Sequence, residues 1–234
     1  MRLKLWRFIL ASAAGALLLA FSPGSYASTI IKLNLDGVSP DISMNGAGIL
    51  GTASDGNAAS TGDQNTDVEY TDFLDPISDI STGDASFSMA GLQRIGSAQL
   101  FGSLVIQNFS GGTISLYDPA NNLLLSGALN TSTLSGVAGP PGTGGLFTTS
   151  LATVTGGSLQ PYILPNTLSL SINLTDVNGG AGFGVRGETL VAFSADAFVS
   201  IGGEPDPSGN IPEPASVALL ALAASGLLAC RQRG

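Results

Sequence analysis

Histidine is absent from the 234 residues and cysteine occurs once, at Cys230. The first absence removes the usual neutral-pH general base, the Ser-His-Asp triad and any zinc site built on imidazole. The second leaves everything upstream of the C-terminal tail without a disulfide or a thiolate metal site, so stability has to come from a packed core. Charge is also scarce, at 11% of residues, and it is unevenly placed. Arg2, Lys4, Arg7, Arg231 and Arg233 lie at the two ends, which leaves Lys32, Arg94 and Arg186 against sixteen Asp and Glu between Ser28 and Ile211, a net of −13. Such a field repels DNA, RNA and anionic lipid head groups, so nucleic acid is excluded as a partner; neutral glycans, cations or other proteins remain. Aromatic residues are few, and the one tryptophan is Trp6. Rings for a sugar-binding platform would have to come from tyrosines such as Tyr70, Tyr117 and Tyr162.

Glycine, at 32 residues, and short polar side chains are abundant instead. Apolar residues recur at spacing two in TIIKLNL from Thr29, LFGSLVIQNF from Leu100, TISLYDP from Thr113, NLLLSGAL from Asn122, TLSLSINLTDV from Thr167 and TLVAFSADAFVSI from Thr189. Alternation of this kind marks strands with one buried face, and the intervening Gly, Pro and Asn clusters mark turns. Residues 113–129 read as the clearest hairpin, with Asp118, Pro119 and Asn121-Asn122 at its turn. Only Phe87 to Leu92 suggests a short helical turn. Residues 136–145, GVAGPPGTGG, read as a surface loop unable to pack a core, and the glycine-rich 179–184 as a turn, since it lacks the lysine of a phosphate loop. The expected fold is all-β, an antiparallel, jelly-roll-like β-sandwich, with a signal helix before it and a short hydrophobic helix after it.

The two ends carry signals of their own. Three basic residues, an apolar run from Phe8 to Phe21, Ser-Pro-Gly, and small residues at Ser25 and Ala27 form a secretory signal peptide over 1–27, with cleavage after Ala27. At the other end Pro212-Glu213-Pro214 precedes an apolar segment over 215–229, followed by Arg231 and Arg233. Fifteen helical residues rise about 22 Å, short of the roughly 30 Å hydrocarbon core, so the segment serves as a transient membrane anchor better than as a permanent span. The prolines hold the motif extended at the outer interface and the arginines stay cytoplasmic. This tail, over 211–234, closely resembles the PEP-CTERM sorting signal. The resemblance implies export by a polysaccharide-secreting bacterium and cleavage by an exosortase-type membrane processing enzyme, with extracellular polysaccharide as a further partner. It implies nothing about the fold upstream. The chain thus divides into a signal peptide at 1–27, a β-rich extracellular domain at 28–201, a linker at 202–210 and the sorting tail at 211–234.

Ten of the sixteen acids fall between Asp36 and Asp84. Asp63, Asn65, Asp67 and Glu69 place oxygen ligands at alternate positions, as the start of a calcium loop does. Val68 and Leu74 stand where an EF-hand loop needs Gly and Glu, and the same alternation fits a strand with one wet face or a solvated acidic loop. Asp72, Asp75 and Asp79 with Glu69 could in principle supply a glycosidase's acid and base. With no histidine and no catalytic set resolved, the expectation is a non-enzymatic structural or adhesive domain. A calcium-stabilised carbohydrate-binding module is the first alternative and a carboxylate-based glycan hydrolase the second.

Overall fold

The computed structural model describes residues 28–35, 40–53, 67–71, 73–74, 85–140 and 144–207. The signal peptide with Ala27, the acids Asp63, Asn65, Asp72, Asp75 and Asp79, and the tail with Pro212, Glu213, Pro214, Arg231 and Arg233 lie outside the described residues.

The described chain is all-β and its main ladder is antiparallel. Eight strands pair in a closed ring. These are β2 (Ile42–Met44), β3 (Ile49–Thr52), β6 (Leu92–Phe101), β7 (Leu104–Ser110), β10 (Ser132–Val137), β11 (Gly144–Gly156), β12 (Ser169–Thr175) and β15 (Phe193–Gly203). Closure comes from β12, which pairs β11 along Gly144↔Thr175 to Ser150↔Ser169 and β15 along Ser169↔Gly202 to Thr175↔Asp196. Closing the ring satisfies edge backbone groups that an open sheet would leave unpaired.

Several strands continue past the ring. Strand β5 (Ser86–Ala90) runs into β6 through Gly91, and β7 runs into β8 (Thr113–Tyr117) through Gly111 and Gly112. All three glycines have positive φ, which lets both strands turn at the same level. Strand β9 (Leu123–Leu129) lies end to end with β10 along β11, whose register shifts between Leu151 and Thr153. Positive-φ glycines and a register shift thus fall at matching levels along these neighbouring strands. On the opposite side β1 (Ser28–Asn34) takes over the edge of β15 that β2 occupies earlier, and β4 (Asp67–Tyr70) adds outside β1. At that changeover the buried carboxylate of Asp41 accepts the Ala197 N–H at 2.8 Å. One continuous apolar core contains Phe109 and Phe147, edge-on to one another on strands of the ring, together with Phe87, Ile30 and Leu125 on the strands added to it.

The 113–129 hairpin forms as β8 and β9, and its turn chemistry is as expected: Asp118 Oδ1 accepts the Asn122 N–H at 2.7 Å and Asn121 sits at φ 63°. Other expectations need correcting. Residues 87–92 are strand, because Phe87, Met89 and Leu92 alternate inward across the Gly91 bend. Both ends of the 136–145 segment are strand, with Gly136 of β10 paired to Gly145 of β11. Far from being unable to pack a core, these two glycines form a saddle for the Phe183 ring, which a Cβ at either position would overlap. Phe183 also meets Phe193 edge-on at 4.9 Å, and both rings are buried. The expected linker begins too early. Strand β15 runs through Gly203, Glu204 accepts the Leu164 N–H, Pro205 bridges to Ile163 and Asp206 donates to the Tyr162 carbonyl, which carries the fold beyond residue 201.

Candidate functional site

Strand alternation sends every second side chain of β7, β10, β11, β12, β15, β1 and β4 to the outside of the sheet. The registers align those side chains into rows. One row reads Asn108, Thr133, Thr148, Ser171, Ser200, Lys32, Glu69 across seven strands, about 29 Å at the usual strand spacing. The next row reads Ile106, Ser135, Leu146, Asn173, Phe198, Asn34, with the Asp67 backbone continuing it on β4. Short hydroxyl and amide side chains dominate this face. Its charges in the first row are an ion pair, Lys32 Nζ to Glu69 Oε2 at 3.0 Å, with both side chains more than half exposed. An exposed pair of that kind adds little to stability, but it leaves the row nearly neutral. Leu146 and Phe198 stand out as exposed apolar side chains among the polar ones.

The oxygen series from Asp63 divides across this geometry. Asp67 and Glu69 lie on β4, where Val68 and Tyr70 between and after them turn into the core, and Glu69 already holds Lys32. Glu69 is therefore an exposed side chain on a strand whose Val68 and Tyr70 are buried. Among the described residues no three His, Cys, Asp or Glu side chains gather as a metal-binding group.

None of the three candidate tyrosines is exposed. Tyr70 is buried, and burial first, with the negative charge of Asp118 second, pushes its hydroxyl up to about 12. Asp118 itself is held below the usual carboxylate range, chiefly by the Asn122 side-chain amide and also by the Asn122 and Ala120 N–H groups. Tyr117 and Tyr162 are half-buried. Among the described residues the exposed rings are phenylalanines: Phe101 at the β6–β7 turn, 62% exposed, and Phe198 in the middle of β15, 49% exposed. Alternation could have found Phe198, since FSADAFVSI puts it out of phase with Phe193, Ala195, Ala197 and Val199; aromaticity alone pointed to the wrong residues.

The three bases of the domain have distinct surroundings. Lys32 pairs Glu69, Arg94 donates to the Leu190 carbonyl of the hairpin formed by β13 (Val185–Arg186) and β14 (Thr189–Leu190), and Arg186 is exposed. The same hairpin docks on β6 through Ser97 Oγ to Glu188 Oε2 at 2.9 Å. A cleft of about 320 Å³ opens between the β2–β3 hairpin and β5, lined by Ser43, Asn45, Thr52 and Met89 among others. Its polar side chains serve the fold: Asn45 Oδ1 accepts the Ala47 and Ile49 N–H groups, and the Thr52 hydroxyl both donates to and accepts from the Met89 backbone.

No protein-family model, no curated protein and no solved structure matches the chain. Any functional reading therefore rests on the chemistry of this surface and on the two terminal signals.

Proposed function

We propose that the protein is an exported, non-enzymatic structural or adhesive component of an extracellular polysaccharide matrix. In this reading it is sorted through Pro212-Glu213-Pro214, the apolar segment and Arg231 and Arg233. An exosortase-type enzyme cleaves the tail after transient membrane anchoring, and the domain is then held at the cell surface or released into the matrix. The observation that carries the matrix role is the long outward face of hydroxyl and amide side chains with its self-neutralised ion pair. A neutral, hydrogen-bonding surface suits contact with hydrated sugar polymers, while the net charge keeps the protein away from polyanions. The jelly-roll-like layering belongs to the same proposal: β1 and β4 would face β5, β8 and β9, as the influence of Asp118 on Tyr70 supports.

Intact mass of the protein recovered from its native host tests the sorting. Loss of both ends in the wild type, with the tail retained when Pro212, Glu213 and Pro214 are replaced by alanine, is the expected result. A wild-type mass still including Arg231 and Arg233 would refute it.

A further inference from the structure

We infer that Phe198 and the two asparagines flanking it form a binding site for a neutral, hydroxyl-rich polysaccharide. The inference rests on the matrix reading and gives it a ligand class and named residues. Phe198 faces outward near the middle of β15, directly opposite Asn173 on β12 and Asn34 on β1. Side chains so opposed stand about 5 Å apart at Cβ, which puts an amide on each side of the ring within a span of roughly 10 Å.

Five other asparagines of the described chain are engaged by the fold. Asn45 accepts the Ala47 and Ile49 N–H groups, Asn108 accepts from Thr133, Asn122 donates to Asp118, Asn130 donates to Ser150 and Asn178 donates to the Gly182 carbonyl. Asn34 and Asn173 are exposed, and among the described residues their side-chain amides make no such bond. Each amide offers two donors and a carbonyl acceptor, the complement that adjacent sugar hydroxyls require. The ring between them offers an apolar face to the C–H side of a pyranose, so that both faces of a sugar's amphipathic surface find a partner. Ser171 and Ser200, opposed in the neighbouring row, add two hydroxyls beside the ring.

Charge selects among polymers. Asp196 lies two residues from Phe198 on the same strand face, and the domain as a whole is strongly acidic, so an anionic polymer is repelled where a neutral one is not. Phe101 provides an internal contrast. It is the more exposed ring, yet its register neighbours are Leu104 and then Val137, so no pair of amides flanks it across the strands as Asn34 and Asn173 flank Phe198, and the one amide near it is Gln99 on its own strand.

The test is native gel electrophoresis of the mature protein from its host through gels containing dextran, hydroxyethylcellulose or galactomannan, with alginate as the anionic comparator. The wild type should be retarded by at least one neutral polymer and not by alginate. Phe198→Ala and Asn173→Ala should each weaken that retardation at least about tenfold, as loss of a central contact does, while Phe101→Ala leaves it unchanged. All three positions are on the surface, and an unaltered thermal transition in each variant will show that the fold is intact. Absence of retardation by all three neutral polymers would overturn the inference, as would full retention in Phe198→Ala. Loss of a dimer in Phe198→Ala, without loss of glycan retention, would assign the face to a second copy and overturn it too. A protein that is processed and held in the matrix regardless of Phe198 sinks this site and leaves the proposed function standing.

Discussion

Removing the Phe183 ring, or filling the saddle beneath it, should reveal how tightly the ring and the two glycines are coupled. The ring is 1% exposed and touches Phe193 edge-on. Its truncation to alanine removes a buried aromatic side chain and should cost about 3–5 kcal/mol. Gly136→Ala attacks the same contact from below. A Cβ there would sit 2.2 Å from Phe183 Cε2 and 2.7 Å from Cδ2, inside any real contact distance, with the Gly144 carbonyl next at 3.0 Å. The ring has to move, at a cost of about 1–3 kcal/mol for an overpacked core. Because the ring is the main obstacle, the same glycine substitution made in Phe183→Ala should cost less than about 1 kcal/mol. Urea denaturation of the wild type, both single variants and the double variant gives the coupling directly. A coupling of 1 kcal/mol or more, with the double variant less damaged than the sum, is expected; additivity within about 0.5 kcal/mol would refute the saddle.

Two further outcomes follow from buried polar groups. Tyr70 has its folded-state ionisation pushed up to about 12 from an ordinary 10, so stability is full below pH 10 and falls as the pH rises towards 12. The slope there should be about 1.4 kcal/mol per pH unit, and alkaline denaturation of Tyr70→Phe should lack it; equal slopes in both proteins would count against the assignment. Asp41→Ala should cost at least about 1–3 kcal/mol, because it strips the acceptor from the buried Ala197 N–H, whereas Asp41→Asn keeps an oxygen there and should cost less. Hydrogen exchange at Ala197 would separate the two, and unchanged protection in Asp41→Ala would mean that the bond is not what holds this changeover together.

What was legible in the sequence was local. Alternation over 29–35, 113–129 and 167–177 places strands because a half-buried pleated surface demands apolar side chains at spacing two, whereas 100–109 conceals the Gly102-Ser103 turn between β6 and β7 and 189–201 conceals the break between β14 and β15. The Asp118–Asn122 turn was equally legible, since an Asx side chain binds the backbone a few residues on. Composition alone argued for an acidic, histidine-free surface suited to neutral partners, and the terminal motifs carried the sorting reading without any help from the fold.

Tertiary structure decided the rest. Residues 136–145 read as a loop because so Gly- and Pro-rich a stretch offers few side chains to a core, yet Gly136 and Gly145 are small so that Phe183, some forty residues on, can lie against them. Alternation assigns a strand two faces but not its neighbours, so it carried no sign that β12 would join β11 to β15 and close the ring. The same limit hid the candidate site. Asn34, Asn173 and Phe198 are far apart in sequence, and only the antiparallel registers that pair β1 and β12 to the two edges of β15 bring an exposed ring between two unengaged amides.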